Sequence, residues 1–183
     1  MIVIGIDPGS LLTGYGVVLN VRGRMSVLAC GAIRNRPQTS MPDRLRVIFE
    51  SLQEIMHRYR PDELAIETAF YGKNAQSALK LGHARGAAIL AAVLKDIPTY
   101  EYSPREVKKA VVGIGTASKI QVRAMMKSQF KLDSTPRHFD TTDALAVALC
   151  HLHRLGTPRR QRAVSWKAYL ADHPEKLSRS AGR

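Results

Sequence analysis

The chain has 183 residues, 45% of them apolar, enough for one domain with a real core plus an appendage. Lys and Arg total 28 against 15 acids, a formal net charge of +13, which implies a partner of dense negative charge, nucleic acid first. No apolar run approaches the roughly 18 residues of a spanning helix, no basic amphipathic anchor flanks the core and no signal-peptide pattern opens the chain, so a cytoplasmic protein without membrane contact is expected.

Ile2-Val3-Ile4-Gly5-Ile6 is a short β-branched run that reads as a buried strand, and Asp7 ends it. A carboxylate there is costly unless something pairs with it, and a metal ion is one such partner. An Asp before Pro8-Gly9 is also ordinary turn chemistry. Gly14 to Val18 starts a second strand and Met25 to Ile33 a third, so the chain opens with hairpins. Ser40-Met41-Pro42-Asp43 predicts a helix start, and Leu45, Ile48, Phe49, Leu52, Ile55, Met56 and Tyr59 keep helical spacing until Pro61. Leu64-Ala65-Ile66 is a fourth strand, and it too ends on an acid, Glu67.

A loop, Thr68 to Asn74, carries Phe70 and Tyr71, and a small-residue helix follows from about Ala75 to Lys95. Thr99 to Tyr102 is a fifth strand. Ser103 to Glu106 is a capping box that opens a helix, Gly113-Ile114-Gly115 breaks it, and a helix resumes near Ser118. The last helix runs from Phe139 to Leu155 and is stopped by Gly156 and Pro158. This order predicts an α/β fold: a mixed five-stranded sheet, its first three strands antiparallel, with helices on both faces. Residues 1–156 form the expected domain. Residues 157–183 are strongly basic and poor in apolar residues, the composition of a flexible tail, although Trp166, Tyr169 and Leu170 would also suit a short docking helix. Cys30 and Cys150 lack metal-ligand spacing and read as buried free thiols in a reducing compartment.

Asp140 and Asp143 are three apart in the first turn of the last helix and share a face. The helix dipole alone favours acids there. That reading leaves Asp7 and Glu67 unexplained. Four carboxylates converging at one sheet edge would repel one another and would be tolerable around hard divalent cations, Mg²⁺ or Mn²⁺. Two such ions can activate a water and stabilise the leaving oxygen of a phosphodiester. The six histidines add little: His138 reads as a surface residue, and His151 and His153, two apart on a helix, make a poor metal pair.

GIDPGSLLTGYGVV, AIETAFYGKNAQSALKLGHARG, VKKAVVGIGTASKIQV and DTTDALAVAL, in this order and spacing, resemble the RuvC family of bacterial Holliday-junction resolvases, from about Met1 to Leu155. The resemblance implies an RNase H-like fold, a homodimer and endonuclease chemistry on four-way DNA junctions with two Mg²⁺ or Mn²⁺ ions per active site. It carries the catalytic and metal-binding acids onto Asp7, Glu67, Asp140 and Asp143. It carries DNA-binding roles onto Phe70, which would stack on an unpaired base, and onto Lys108 and Lys119, which would lie near the scissile phosphates. Phe70 as a core-packing aromatic and the lysines as solvated charges are the plainer alternatives. The Val112 to Gly115 break resembles a hairpin whose amides would meet a phosphate, and a simple helix terminator fits as well.

The resemblance further implies paired incisions that leave 5′-phosphate and 3′-hydroxyl ends in recombination and repair, alongside the RuvA-RuvB branch-migration proteins. Two other classes stay open on the sequence. A non-catalytic junction-binding protein would not need all four acids. An ATP-binding protein of the actin and sugar-kinase type also begins with a strand, an acid and a Gly-containing hairpin, but it needs two such lobes and has no use for the positive charge.

Overall fold

In the computed structural model, which describes residues 1–68, 75–132 and 139–156, β1 (Ile2–Asp7) is the central strand of a five-stranded sheet. β2 (Leu12–Val21) and β3 (Arg24–Arg34) continue from it as antiparallel hairpins. After α1 (Met41–Tyr59), β4 (Glu63–Glu67) returns on the other side of β1 and pairs parallel to it. α2 (Ala75–Val93) leads to β5 (Thr99–Tyr102), parallel to β4. The strand order is β3-β2-β1-β4-β5, the mixed sheet that the sequence predicts.

The three remaining helices are α3 (Pro104–Val112), α4 (Lys119–Gln129) and α5 (Phe139–Gly156). Their starts are written locally. The hydroxyls of Ser40, Ser103 and Ser118 accept from backbone N–H groups three residues on, and Glu106 and Gln121 complete capping boxes. α1 ends where Arg60 turns left-handed (φ 45°), one residue before Pro61.

Strand alternation sorts the core into two layers. Ile4 and Ile6 of β1 and Leu64 and Ile66 of β4 face α1 and α2, where Ile48, Leu52 and Met56 meet the buried Ala84, Ala88, Ala91 and Ala92. Val3 and Ala65 face the other way, into the layer of α3, α4 and α5. By the same parity Asp7 and Glu67 belong to the α5 side. Small residues let α5 lie directly on that face. A Cβ on Gly5 would fall 2.1 Å from the Ala144 carbonyl oxygen, and one on Gly16 would fall 2.7 Å from a Leu145 methyl group.

Both cysteines are free. Cys150 is buried as expected, but Cys30 is only half-buried, because β3 is an edge strand with one side unpaired. Phe70, Tyr71, His138 and the basic tail lie outside the described residues.

Candidate active site

Asp7, at the end of β1, and Glu67, at the end of β4, open into one cleft. Asp143 reaches it from the first turns of α5, and α3 and α4 supply the opposite wall with Pro104, Val107, Lys108, Lys119 and Val122. The β1–β2 turn is fixed by the buried Thr13, whose hydroxyl donates to the Gly9 carbonyl at 2.7 Å. Register places Asp7 opposite Gly14, and Gly14 lies beneath the first turn of α5. β4 is tied in by the Thr68 N–H, which donates to the Tyr102 carbonyl at 2.8 Å.

The electrostatics are those of crowded acids. Burial, then the charges of Glu67, Asp143 and Asp140, raise the Asp7 carboxyl to about 8, with Lys119 opposing. Burial and Asp143 raise Glu67 to about 7, against Lys119 and Lys108. Asp140 does not line the cleft, but it is close enough to act on Asp7 and on Lys119. Lys119 Nζ donates to Asp143 Oδ2 at 2.9 Å. Partial burial works against the charged ammonium, but that bond and the surrounding acids win, and its pKa is raised.

Among the described residues no three His, Cys, Asp or Glu side chains already form a metal-ligating cluster. The donor set nonetheless suits a hard divalent cation, being oxygen throughout. Two of its carboxyls are held far above their ordinary range by burial and then by repulsion, a cost that a bound cation would relieve.

A family model described as crossover junction endodeoxyribonuclease RuvC matches residues 3–151. The chain belongs to the RuvC family. It is 53% identical over 152 residues to the crossover junction endodeoxyribonuclease RuvC of Saccharophagus degradans, covering 83% of this chain and 87% of that protein. It is 50% identical over 168 residues to the protein of the same name from Chlorobium phaeovibrioides, covering 91% and 89%. Among solved structures, T. thermophilus RuvC in complex with Holliday junction substrate superimposes with a TM-score of 0.79 at 36% identity, over 86% of this chain and 97% of that one. The yeast mitochondrial Holliday junction resolvase Ydc2, at 12% identity and a TM-score of 0.58 over 81% of this chain, shares the fold. This RuvC-family chain is thus a member of an endonuclease family with an RNase H-like fold.

One cluster near the cleft escaped the sequence reading. His151, 1% exposed, meets the Glu63 carboxylate through Nε2 and lies 2.6 Å from the Tyr102 hydroxyl through Nδ1. Part of the signal was present. Glu63 has the same strand parity as Glu67, and His151 is eleven residues after Asp140, about three full turns on and so on the same stripe of α5.

Proposed function

We propose that this protein cuts four-way DNA junctions by metal-dependent phosphodiester hydrolysis, with Asp7, Glu67, Asp140 and Asp143 as the catalytic and metal-holding acids. The observation that carries this reading is the cleft itself: Asp7 at about 8 and Glu67 at about 7 beside Asp143, walled by Lys108 and Lys119. Two Mg²⁺ or Mn²⁺ ions bound there would supply Lewis-acid charge and a nucleophile at neutral pH. Asp7, central among the acids, would hold both, and Glu67, Asp140 and Asp143 would complete the two sites. Lys108 and Lys119 would hold the phosphate against the cleft while the acids keep the cations in place. Phe70, three residues after Glu67 in the sequence and outside the described residues, would stack on an unpaired base at the junction centre. The products would carry 5′-phosphate and 3′-hydroxyl ends that a ligase can seal.

A four-way junction has two-fold symmetry, and paired cuts need two sites, so we read the protein as a homodimer. α2 supports this. Its inward face is the buried alanine stripe, whereas Leu79, Gly82, Gly86, Leu90 and Val93 form the opposite stripe. Leu79, Leu90 and Val93 are 63%, 51% and 54% exposed, and a Cβ on Gly82 or Gly86 would meet open space. Two bare positions flanked by exposed large side chains along one helix face suit close approach by a second copy of the same helix.

Residues 1–156 would form the nuclease domain, with the basic stretch from 157 to 183 as an appendage to it. The RuvA-RuvB branch-migration complex is the expected partner, in the cytoplasm. The deciding experiment compares a synthetic four-way junction with a linear duplex in Mg²⁺, Mn²⁺ or EDTA, using the wild-type protein and Asp7→Asn. Paired metal-dependent cuts confined to the junction, with Asp7→Asn binding but not cutting, are expected. Binding without cutting in any metal would leave a junction-binding protein, and equal cutting of both DNAs would remove junction selectivity.

A further inference from the structure

β4 presents two carboxylates on the α5 side of the sheet, Glu63 where it begins and Glu67 where it ends. Four residues of strand separate them by about 13 Å. α5 runs along the same face, and the eight residues from Asp143 to His151 span about 12 Å of helix. Strand and helix therefore meet at two rungs of matching spacing. At one end Glu67 and Asp143 face the cleft, and at the other the Glu63 carboxylate takes His151 Nε2.

The far rung is a built network. A carboxylate can only accept, so Nε2 carries a hydrogen, and in the neutral imidazole Nδ1 accepts from the Tyr102 hydroxyl at 2.6 Å. Tyr100 packs at a tilt on the His151 ring, 4.7 Å between centroids, and places its hydroxyl 3.5 Å from the other Glu63 oxygen. The Arg154 guanidinium lies 5.5 Å from the Tyr102 ring centre. Tyr102 connects this network to the cleft twice. Its carbonyl holds the N–H of Thr68, the residue after Glu67, and Ser103, the next residue, is the N-cap of α3, which carries Lys108.

We infer that Glu63, His151 and Tyr102 form a positioning brace that fixes where α5 sits along β4 and thereby sets Asp143 relative to Glu67. The glycine-lined face of β1 and β2 fixes how close α5 comes to the sheet. Beside it, Leu145, Leu149 and Leu152 pack against Val3, Val18 and Ala65, contacts that are non-directional. Hydrogen bonds at the far end supply a directional stop, because a buried imidazole cannot leave both partners without exposing three unsatisfied polar groups.

The brace rests on the nuclease reading only for its activity readout. Full-length Tyr102→Phe, Glu63→Leu and Glu63→Gln are compared with the wild type in Mn²⁺ affinity by isothermal titration, in turnover on saturating four-way junction, and in Tm. Tyr102→Phe and Glu63→Leu are expected to stay folded and to bind the junction normally in EDTA. They should bind Mn²⁺ more weakly and turn over about ten-fold or more slowly, since misplacement on the ångström scale is enough for such losses. Glu63→Gln, whose amide oxygen still accepts from Nε2, should recover most of both. Folded variants with wild-type Mn²⁺ affinity and turnover would overturn the brace, whatever their Tm. So would Glu63→Gln as impaired as Glu63→Leu, or Tyr102→Phe failing to fold, which would make the cluster a stability element. If the wild type does not cut junctions, the nuclease reading falls, and the Mn²⁺ affinities still decide the brace.

Discussion

The carbonyl oxygen of Asp140 lies directly over Gly14: a Cβ on that glycine would sit 2.0 Å from it. Gly14 is the register partner of Asp7, so one bare backbone position joins the strand that carries one candidate catalytic acid to the helix that carries two others. Close approach of backbone to backbone, with no side chain between, is what brings these acids within range of each other.

Gly14→Ala should therefore be costly for both fold and function. The new methyl group meets backbone, which cannot rotate away, so the first turn of α5 must lift. A loss of about 1–3 kcal/mol or more is expected from overpacking, with junction cutting falling well beyond the loss of folded protein. Urea titration and single-turnover cleavage on the same preparations separate the two effects. Gly23→Ala, at a positive φ of 85° but with open space around it, should cost stability through backbone strain alone and leave cutting intact.

Metal-free stability should fall as pH rises. The folded protein holds Asp7 near 8 and Glu67 near 7, against ordinary values of 3.8 and 4.5. Between those limits the unfolded chain is ionised while the folded chain keeps its protons, so unfolding releases protons and stability is lost across roughly pH 4 to 8. Asp7→Asn removes the larger contribution. In EDTA it should melt several degrees above the wild type at pH 8 and close to it at pH 5. Mg²⁺ should raise the wild-type Tm more than that of the variant. Thermal melts over this range check all three points, and a wild-type Tm that climbs with pH in EDTA would contradict the assignment.

Lys119 and a divalent cation compete for Asp143. The ammonium donates to Oδ2 at 2.9 Å, and both residues line the cleft. Lys119→Met should bind Mn²⁺ more tightly than the wild type when no DNA is present, because the internal cation is gone. It should cut more slowly, because the same group is then missing from the phosphate. Calorimetry and single-turnover rates with metal held saturating read the two effects independently.

The outward stripe of α2 predicts a separable loss of pairing. Leu90→Glu places a charge between Gly86 and Val93, on the face away from the core. The folded chain should remain, with Tm lowered by the loss of dimerisation alone, and light scattering should show a monomer. That monomer should nick one strand of a junction instead of making paired cuts. A dimer that still cuts in pairs would move the interface elsewhere.

The sequence by itself determined the elements and their order. Alternating apolar runs, serine caps and Gly or Pro breaks act over a few residues, so each strand and helix was legible from its own stretch. The acids at strand ends were legible for the same reason, since parity along β1 and β4 points Asp7 and Glu67 to one face. Tertiary structure decided what those residues meet. Which cation answers Asp143, how Gly14 seats α5, and why His151 matters all depend on segments distant in the chain: Lys119 is 24 residues from Asp143, and Glu63 is 88 from His151. The half-exposure of Cys30 belongs here too, because an edge strand looks like any other strand until its neighbours are known. Local propensity is a property of the chain. Electrostatic pairing and close packing are properties of the folded arrangement, and the site is made of those.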